Sequence, residues 1–411
     1  MSTILDAVRR RIAGATFGAP APRTPRLGVE AEFLALDAAT HAVVPLEHRL
    51  VPSLQPLARE RNWILERASK GAPRYALPAG GSVSFEPGGQ LEYASPPAAT
   101  PAELLADLRD VIPAILCAAA QAGITLVGAG IDPCNAIAAV PRQIHADRYR
   151  LMNEYFDAIG PAGARMMRQT ASIQINVDAT GDRLQTWSVL NAMAPYLVAA
   201  FANSRVYAGE DTGRASYRAV TWQALDSTRT GIVHDAADPI GAYVQFALDA
   251  PAMLVKAEGD AYLPLREWVA RDAAPDDLIT THLTTLFPEI RPRAHFEVRS
   301  VDALPPAWLP APVLLVAGIV MDEMALADAA ALLGQPRPEL LARAAASGLQ
   351  DPGIASIAGD LADIALAGCA RLGAAVAPAD CELARDYFGR TIRQGRNLDA
   401  STVSPAVATA A

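Results

Sequence analysis

Four short segments of the chain alternate polar and apolar residues, and this period of two constrains the fold more than any other feature. They cover residues 28–33, 90–93, 172–178 and 295–299. Successive side chains of a β-strand point to opposite faces of the sheet, so each segment predicts a strand with one polar face. For any single strand, a face that simply meets water is the alternative, because an antiparallel sheet often has one wet side.

The polar faces of these segments carry carboxylates, amides and one arginine, and no lysine. Glu30 and Glu32 share the first face, Gln90 and Glu92 share the second, and Glu297 lies on the fourth. Carboxylates gathered on one sheet face repel one another unless a cation lies among them. Magnesium prefers carboxylates together with substrate phosphates as its ligands. The pattern therefore predicts a magnesium and nucleotide site on a sheet.

A proline–glycine–glycine turn at residues 87–89 leads into the second segment. Paired glycines permit positive φ and a close approach of the backbone to a ligand. The sequence has neither a GxxxxGK[ST] loop nor a dinucleotide-binding fingerprint. Any nucleotide must therefore be bound mainly through a metal ion and arginine side chains.

Two arginines lie in or next to the segment at residues 222–231. Arg218 lies just before this segment and Arg229 near its end. Because a guanidinium pairs bidentately with a carboxylate or a phosphate, these arginines indicate an anionic substrate. A solvated loop with surface arginines is the alternative.

Amino-acid composition and net charge indicate which kinds of molecule the protein can bind. With 51% hydrophobic residues among 411, the chain can bury a sizeable core, and its net charge of −9 gains nothing from counterion release on nucleic acid. No basic run suits an anionic membrane, and the apolar run at residues 312–321 is too short to span a bilayer. Four cysteines without a CxxC pair indicate reduced thiols. We expect small-molecule substrates, no nucleic-acid or membrane partner, and a cytoplasmic protein.

Helices are expected to surround these strands. The periodicity predicts one further strand at 125–130, and helices at 4–13, 101–122, 184–203 and through most of the chain after residue 312. No linker separates the strands into two sets, which favours one α+β domain. The predicted organisation is an N-terminal helix and linker at 1–25, a single catalytic domain with a helical C-terminal part at 26–400, and a disordered tail at 401–411.

Several motifs, taken in their order along the chain, resemble those of the plant and proteobacterial glutamate–cysteine ligases. Residues 85–92 are similar to the EPGGQ-x-E motif of that family, and residues 28–33 look like its first metal-binding strand. Similar blocks follow at 148–155, 167–176, 201–204, 222–231, 284–291 and 296–299. The resemblance runs from about residue 26 to about residue 370.

This resemblance implies a fold and a set of site residues. The implied fold is that of the catalytic part of glutamine synthetase, a curved, mostly antiparallel sheet with surrounding helices, whose concave face holds metals and ATP. The implied metal ligands are Glu30, Glu32, Glu86, Glu92, Gln174 and Glu297. The implied catalytic residues are Arg299, which stabilises phosphate, with Glu297 and Arg229. Arg229 would hold the glutamate carboxylate, and the other implied substrate contacts are Arg168, Trp222, Arg218 and Tyr149. The implied nucleotide contacts are Gly88, Gly89, Gln90, Asn176 and Arg299.

The activity implied by the resemblance is ATP- and magnesium-dependent ligation of the glutamate γ-carboxylate to the amine of cysteine. The reaction would pass through γ-glutamyl phosphate and begin the synthesis of glutathione or another small thiol, in a monomer or a homodimer. A ligase with a different acceptor amine is the alternative. A catalytically silent binding protein is a third possibility, against which five intact glutamates argue.

The sequence departs from the plant pattern at two places. Ala171 stands where the plant enzymes have a cysteine, and no cysteine occurs between Cys134 and Cys369. We therefore expect activity that does not respond to the thiol–disulfide balance. Residues 300–312 are richer in proline than the plant pattern, which leaves the identity of the acceptor amine open.

Overall fold

The computed structural model describes residues 2–19, 22, 24–67, 71–257, 261–271 and 277–398. The predicted tail at 401–411 lies outside these residues. The strands are β1 (Leu27–Asp37), β2 (Ile64–Arg67), β3 (Pro73–Ala76), β4 (Ser82–Phe85), β5 (Leu91–Ala94), β6 (Ile124–Val127), β7 (Ser172–Val177), β8 (Val206–Tyr207), β9 (Glu210–Asp211), β10 (Thr230–Gly231), β11 (Phe287–Pro288), β12 (Ile290–Pro292) and β13 (Phe296–Asp302). The helices are α1 (Ser2–Phe17), α2 (Val51–Glu60), α3 (Pro101–Gln121), α4 (Asp147–Asp157), α5 (Ala162–Gln169), α6 (Arg183–Ala200), α7 (Tyr217–Gln223), α8 (Pro239–Asp249), α9 (Leu265–Ala270), α10 (Leu278–Leu283), α11 (Pro310–Val320), α12 (Glu323–Leu333), α13 (Leu340–Ser347), α14 (Pro352–Leu372) and α15 (Pro378–Arg390).

The centre of the protein is a nine-stranded antiparallel sheet. Its strand order is β12-β13-β7-β1-β5-β4-β3-β2, and β6 pairs with the far half of β1. The two remaining sheets are two-stranded, and one of them, β10 with β11, is parallel. The fold is therefore α+β with a mostly antiparallel sheet, as the alternating segments predicted.

The strand register brings the predicted polar faces together. Glu30 lies opposite Gln174 across the β1–β7 pair, and Glu32 lies opposite Glu92 across the β1–β5 pair. On β13, Glu297 lies opposite Asn176 of β7. The intervening residues of β1, such as Val29 and Ala31, are buried in the hydrophobic core on the other face. The period of two thus separates a charged face from a core face.

Helices cover the core face of the sheet. Helix α6 packs against β13, and it is buried on nearly every side because α12, α13 and α14 surround it. Every residue of α11 is buried, and this helix packs against α14 and α15. The helical C-terminal part that the sequence predicted therefore completes the core that the sheet begins.

Helix α3 begins and ends as its sequence predicts. Thr100 caps the helix by accepting a hydrogen bond from the backbone N–H of Glu103, and the Glu103 carboxylate accepts one from the backbone N–H of Ala99, the residue before the cap. Pro101 occupies the first turn, where its missing N–H costs nothing. Gly123 follows the helix with a φ of 66°, a left-handed conformation that favours glycine.

Among the described residues, one helix is long and apolar enough to cross a membrane by length and composition alone, and a second candidate arises only if a pair of helices bent by 94° is counted as one span. The first of these is α14 with its short extension, residues Pro352–Ala375, and 44% of its apolar window is buried inside the protein. Core helices of globular proteins commonly pass the same test. In the part of the chain that the structure describes, α14 packs against α6, α11 and α12.

Candidate active site

A cavity of about 250 Å³ lies over the charged face of the sheet. Carboxylates and amides of the sheet line it from below, and arginines and aromatic residues line it from the sides. Of the residues that the sequence predicted, its walls contain Glu30, Glu32, Glu86, Gln90, Glu92, Tyr149, Gln174, Arg218, Trp222, Glu297 and Arg299. A larger cavity of about 680 Å³ lies elsewhere, and its described walls contain none of them.

Glu30 and Glu32 are held by β7. The Glu32 carboxylate, 9% exposed, accepts hydrogen bonds from the Ser172 backbone N–H at 2.7 Å and from the Gln174 amide at 3.0 Å. Glu30 accepts a bond from the Asn176 amide at 3.3 Å. Burial raises the pKa of both carboxyl groups above the ordinary value. The antiparallel register therefore fixes a buried carboxylate, Glu32, beside a partly buried one, Glu30.

Glu86 and Glu92 complete a group of four carboxylates with Glu30 and Glu32. Burial, together with repulsion by Glu32 and Glu30, raises the pKa of Glu86 to about 7. Burial and repulsion by Glu86 raise the pKa of Glu92 well above its ordinary value. A hydrogen bond from the Ser84 hydroxyl at 2.8 Å lowers this pKa but does not outweigh them. Four largely desolvated carboxylates, of which Glu32 is buried and the others are partly exposed, repel one another and are stabilised by a proton or a cation among them.

The chemistry of this group suits a hard divalent cation, since all its donors are oxygens. As they lie in this structure, no three His, Cys, Asp or Glu side chains among the described residues are arranged closely enough to hold an ion. The carboxylates would therefore have to rotate inward around a metal. Their repulsion without one is consistent with such a movement.

Glu297 is surrounded by arginines. Its carboxylate pairs with Arg291 at 2.9 Å, with Arg293 at 3.1 Å and with Arg299. Burial alone would raise the pKa of Glu297, but Arg291, Arg299 and Arg293 outweigh burial and lower it to about 2. Glu297 therefore organises guanidinium groups here, whereas the sequence predicted a metal ligand.

Arg299 lies between the carboxylates and the aromatic wall. It donates to the Gln174 side-chain oxygen at 2.6 Å, and its guanidinium lies 5.4 Å from the Trp222 ring centroid. Gln174 thus bridges Arg299 and Glu32, and its oxygen is already engaged. Glu297 and Gln174, both predicted as metal ligands, bind Arg299 in this geometry, and all three residues line the cavity.

Arg229, which the sequence predicted to hold glutamate, lies outside the described walls of the cavity. It is 0% exposed, and its guanidinium donates to Asp226 at 2.9 Å, to the Thr285 carbonyl at 3.0 Å and to the Pro251 carbonyl. It also lies over the Tyr155 ring. Arg229 is thus fully buried, is bound to protein acceptors and does not line the cavity in this structure, so its role in holding glutamate stays a prediction.

Arg168, Gly88 and Gly89 are also outside the described walls, although Pro87 of the same turn lines the cavity. Arg168 donates to the Val140 carbonyl at 2.8 Å. A Cβ on Gly88 would lie 2.0 Å from the Arg168 carbonyl oxygen, and Gly89 has a φ of 92° beside Gln143. Close packing at Gly88 and the positive φ of Gly89 therefore each require glycine, and the predicted nucleotide contact of these two residues stays a prediction.

Asn176 lies in a neighbouring groove of about 200 Å³. Glu30 and Arg293 line both this groove and the main cavity, and His295 lines the groove. The two spaces are therefore adjacent along the sheet.

Three arginines of the cavity were not among the predicted site residues: Arg148, Arg291 and Arg293. Arg148 is fixed by Thr284, whose hydroxyl accepts at 2.7 Å and whose carbonyl accepts at 3.1 Å. Arg148 and Arg291 lie in segments that resemble family blocks, which was the available signal. Arg148 reaches the cavity from α4, and Arg291 reaches it from β12, where it lies opposite Glu297. Strand β12 has only three residues, which is too short for a period of two to be recognised.

The chain is similar to known proteins over most of its length. The family model described as glutamate-cysteine ligase family 2 matches residues 26–399. The chain is 34% identical over 340 residues to glutamate–cysteine ligase EgtA of Mycolicibacterium smegmatis, covering 78% of this chain and 77% of that protein. It is 29% identical over 318 residues to the chloroplastic glutamate–cysteine ligase of Nicotiana tabacum, covering 73% of this chain and 60% of that one.

Among solved structures, glutamate–cysteine ligase of Francisella tularensis in complex with AMP shares the fold. The TM-score is 0.52 at 11% sequence identity, over 95% of this chain and 85% of that one. The predicted glutamine synthetase-like sheet is thereby confirmed. Since the family model spans residues 26–399, this chain belongs to glutamate–cysteine ligase family 2.

Proposed function

We propose that this protein uses ATP and Mg²⁺ to join the γ-carboxylate of glutamate to the amine of cysteine. The observation that carries the proposal is one cavity in which four repelling carboxylates face Arg148, Arg218, Arg291, Arg293 and Arg299. The carboxylates suit a divalent cation, and the arginines suit phosphate and substrate carboxylate. The names of the M. smegmatis and tobacco relatives favour cysteine as the acceptor.

A carboxylate is a poor acyl donor, so its activation is the step that needs catalysis. Transfer of the γ-phosphoryl group of ATP to the glutamate γ-carboxylate gives an acyl phosphate and ADP. The amine then attacks the acyl carbon, and phosphate leaves with one former carboxylate oxygen. When bound, Mg²⁺ would neutralise phosphate charge, and Glu30, Glu32, Glu86 and Glu92 are the residues that would hold it.

The arginines have separate tasks in this proposal. Arg299, fixed by Glu297 and Gln174, would stabilise the transferring phosphoryl group. Arg148 and Arg218 line the cavity, whereas Arg229 does not. We therefore assign the binding of the glutamate carboxylates to Arg148 and Arg218. The adjoining groove at Asn176 and His295 offers space for the nucleoside, because it shares Glu30 and Arg293 with the main cavity.

A different acceptor amine is the second candidate. The proline-rich residues 300–312 favour it, since this part departs from the plant pattern. We further propose a cytoplasmic protein, monomeric or homodimeric, that acts on small molecules and not on nucleic acid or membrane. Its four free cysteines are consistent with a reducing compartment.

Mass spectrometry of the products tests the proposal. The protein is incubated with ATP, Mg²⁺, glutamate and an equimolar pool of amino acids and amines, beside the Arg299→Ala variant. We expect γ-glutamylcysteine as the main product of the wild type and almost none from the variant. A γ-glutamyl product of another amine would select the second candidate, and no γ-glutamyl product at all would contradict both.

A further inference from the structure

A buried carboxylate lies behind the cavity rather than in its described walls. Asp302 is the last residue of β13 and is 1% exposed. One carboxylate oxygen accepts hydrogen bonds from the Asn203 backbone N–H at 2.8 Å and the Ser204 hydroxyl at 2.6 Å. The other accepts from the Ser216 hydroxyl at 3.0 Å. Three donors therefore fix Asp302 in one orientation.

The same carboxylate faces Arg218 of the cavity wall. Arg218 Nη1 lies 3.6 Å from Asp302 Oδ1, and Arg218 Nη2 donates to the Arg299 carbonyl at 2.9 Å. The Arg218 side chain is 5% exposed, so solvent screens this ion pair little. Asp302 and the Arg299 backbone thus hold the guanidinium from two sides.

The donors to Asp302 also fix the backbone of Arg218. Ser204 accepts a hydrogen bond from the Arg218 N–H at 3.0 Å. Ser216 caps α7 by accepting from the Ala219 N–H at 3.0 Å. Both hydroxyls that bind Asp302 therefore bind the first turn of α7, where Arg218 lies. Movement of Asp302 would disturb the main chain and the side chain of Arg218 together.

Arg218 has carboxylates on two sides. Asp302 forms an ion pair with it, and Glu32 lines the same cavity as Arg218, which lowers the pKa of that carboxyl against the effect of burial. A further, partly buried carboxylate, Glu289, lines a small pocket with Arg218 and accepts a hydrogen bond from the Ser300 hydroxyl at 2.7 Å. If the charge of Asp302 were absent, attraction would draw the guanidinium towards Glu32, where it would neutralise a carboxylate of the site.

We propose that Asp302 is a positioning residue that holds Arg218 away from Glu32, so that the guanidinium stays available to an anionic substrate. This inference rests on the proposed function, in which Arg218 contacts the glutamate carboxylates. Asp302 acts only through Arg218. Its effect on substrate use should therefore vanish when the Arg218 guanidinium is already absent.

A double-mutant cycle tests this dependence. We compare wild type, Asp302→Asn, Arg218→Ala and the double variant, measuring kcat and KM while glutamate, ATP and the amine are varied in turn. Asp302→Asn should lower kcat/KM for glutamate about tenfold, on the scale of charged hydrogen bonds. The loss should concern the same substrate as in Arg218→Ala, and the double variant should be no worse than Arg218→Ala alone.

The opposite result is additivity. If Asp302→Asn lowers kcat/KM by the same factor in the Arg218→Ala background, Asp302 has a general structural role and the proposal is wrong. A loss that concerns a different substrate from that in Arg218→Ala would also overturn it. Calorimetric binding of glutamate and ATP to the four proteins does not need turnover. It therefore separates a failure of this inference from a failure of the proposed reaction.

Two further variants control for folding. Ser204→Ala removes one hydrogen bond to Asp302 and should give a smaller loss with the same substrate preference, even if Asp302→Asn does not fold. Thr391→Val removes a buried hydroxyl that donates to the Tyr387 carbonyl, in the C-terminal part. It should lower thermal stability without changing kcat/KM. An equal fall of kcat/KM in Thr391→Val and Ser204→Ala would contradict the proposal.

Discussion

Replacing Glu86 by glutamine should stabilise the metal-free protein while it abolishes activity. Burial and repulsion raise the pKa of Glu86 from 4.5 to about 7. Glutamine has nearly the same shape and carries no charge. In the metal-free state, the substitution therefore removes repulsion from Glu30 and Glu32, and under turnover conditions it removes a proposed ligand of the cation.

The direction with pH follows from proton binding. Between pH 4.5 and 7 the unfolded chain has lost the Glu86 proton and the folded chain still holds it, so stability falls as the pH rises. The full penalty is present above pH 7 and absent below 4.5. A rise of this size corresponds to about 3 kcal/mol. Glu86→Gln should therefore raise the free energy of unfolding by up to about 3 kcal/mol at pH 8 and by little at pH 4.

Urea unfolding with a metal chelator, followed by tryptophan fluorescence at both pH values, measures this difference. Glu60→Gln is the matched control, because Glu60 is exposed at the end of α2 and lies outside the site. Excess Mg²⁺ should stabilise the wild type more than Glu86→Gln. A variant less stable than the wild type at pH 8, or equally changed at both pH values, would refute the proposed repulsion among the carboxylates.

Three other perturbations separate structural from functional groups. Arg148→Lys should raise the KM for glutamate about tenfold, since a charge-assisted hydrogen bond is worth about 1.5–3 kcal/mol. Arg229→Lys should instead lower the free energy of unfolding and leave the KM for glutamate unchanged. The reverse pattern would restore Arg229 as the substrate contact. Glu297→Gln should destabilise the protein by about 3–5 kcal/mol in chemical unfolding, because buried arginines lose their partner, and an unchanged stability would show that the arginines do not depend on it. Activity should be equal after equilibration in oxidised and in reduced dithiothreitol. Burial raises the pKa of the neighbouring thiols Cys369 and Cys381, which leaves little thiolate to react. A reversible loss of activity that Cys381→Ser abolishes would reveal a redox switch.

The sequence predicted the strands that carry the site because their alternation is complete. The observed strands β1, β7 and β13 fall at the segments predicted from the period of two. Strands β2 and β3 were missed, since each has only four residues and β2 leaves Ile64 65% exposed at the sheet edge. Strand β2 has no buried face and therefore no periodic signal, whereas β3 alternates but is too short for the alternation to stand out.

The arginines show where sequence reasoning ends. A period of two identified the face of Glu30 and Glu32, but it carries no information about side chains that reach the cavity from helices. The acceptors of Arg229 include the carbonyls of Thr285 and Pro251, which are distant in sequence, so its burial could not be foreseen from the motif. The same holds for Asp302, whose partners come from residues 203, 204, 216 and 218.

Isotope transfer from glutamate to phosphate tests the proposed reaction most directly. The protein is given ATP, Mg²⁺, cysteine and glutamate labelled with ¹⁸O in the γ-carboxylate, and the phosphorus products are analysed by mass spectrometry. If the γ-carboxylate attacks the γ-phosphorus and the amine then displaces phosphate, the products are ADP and inorganic phosphate that carries one ¹⁸O atom. Labelled AMP with pyrophosphate, or phosphate without ¹⁸O, would contradict activation through γ-glutamyl phosphate.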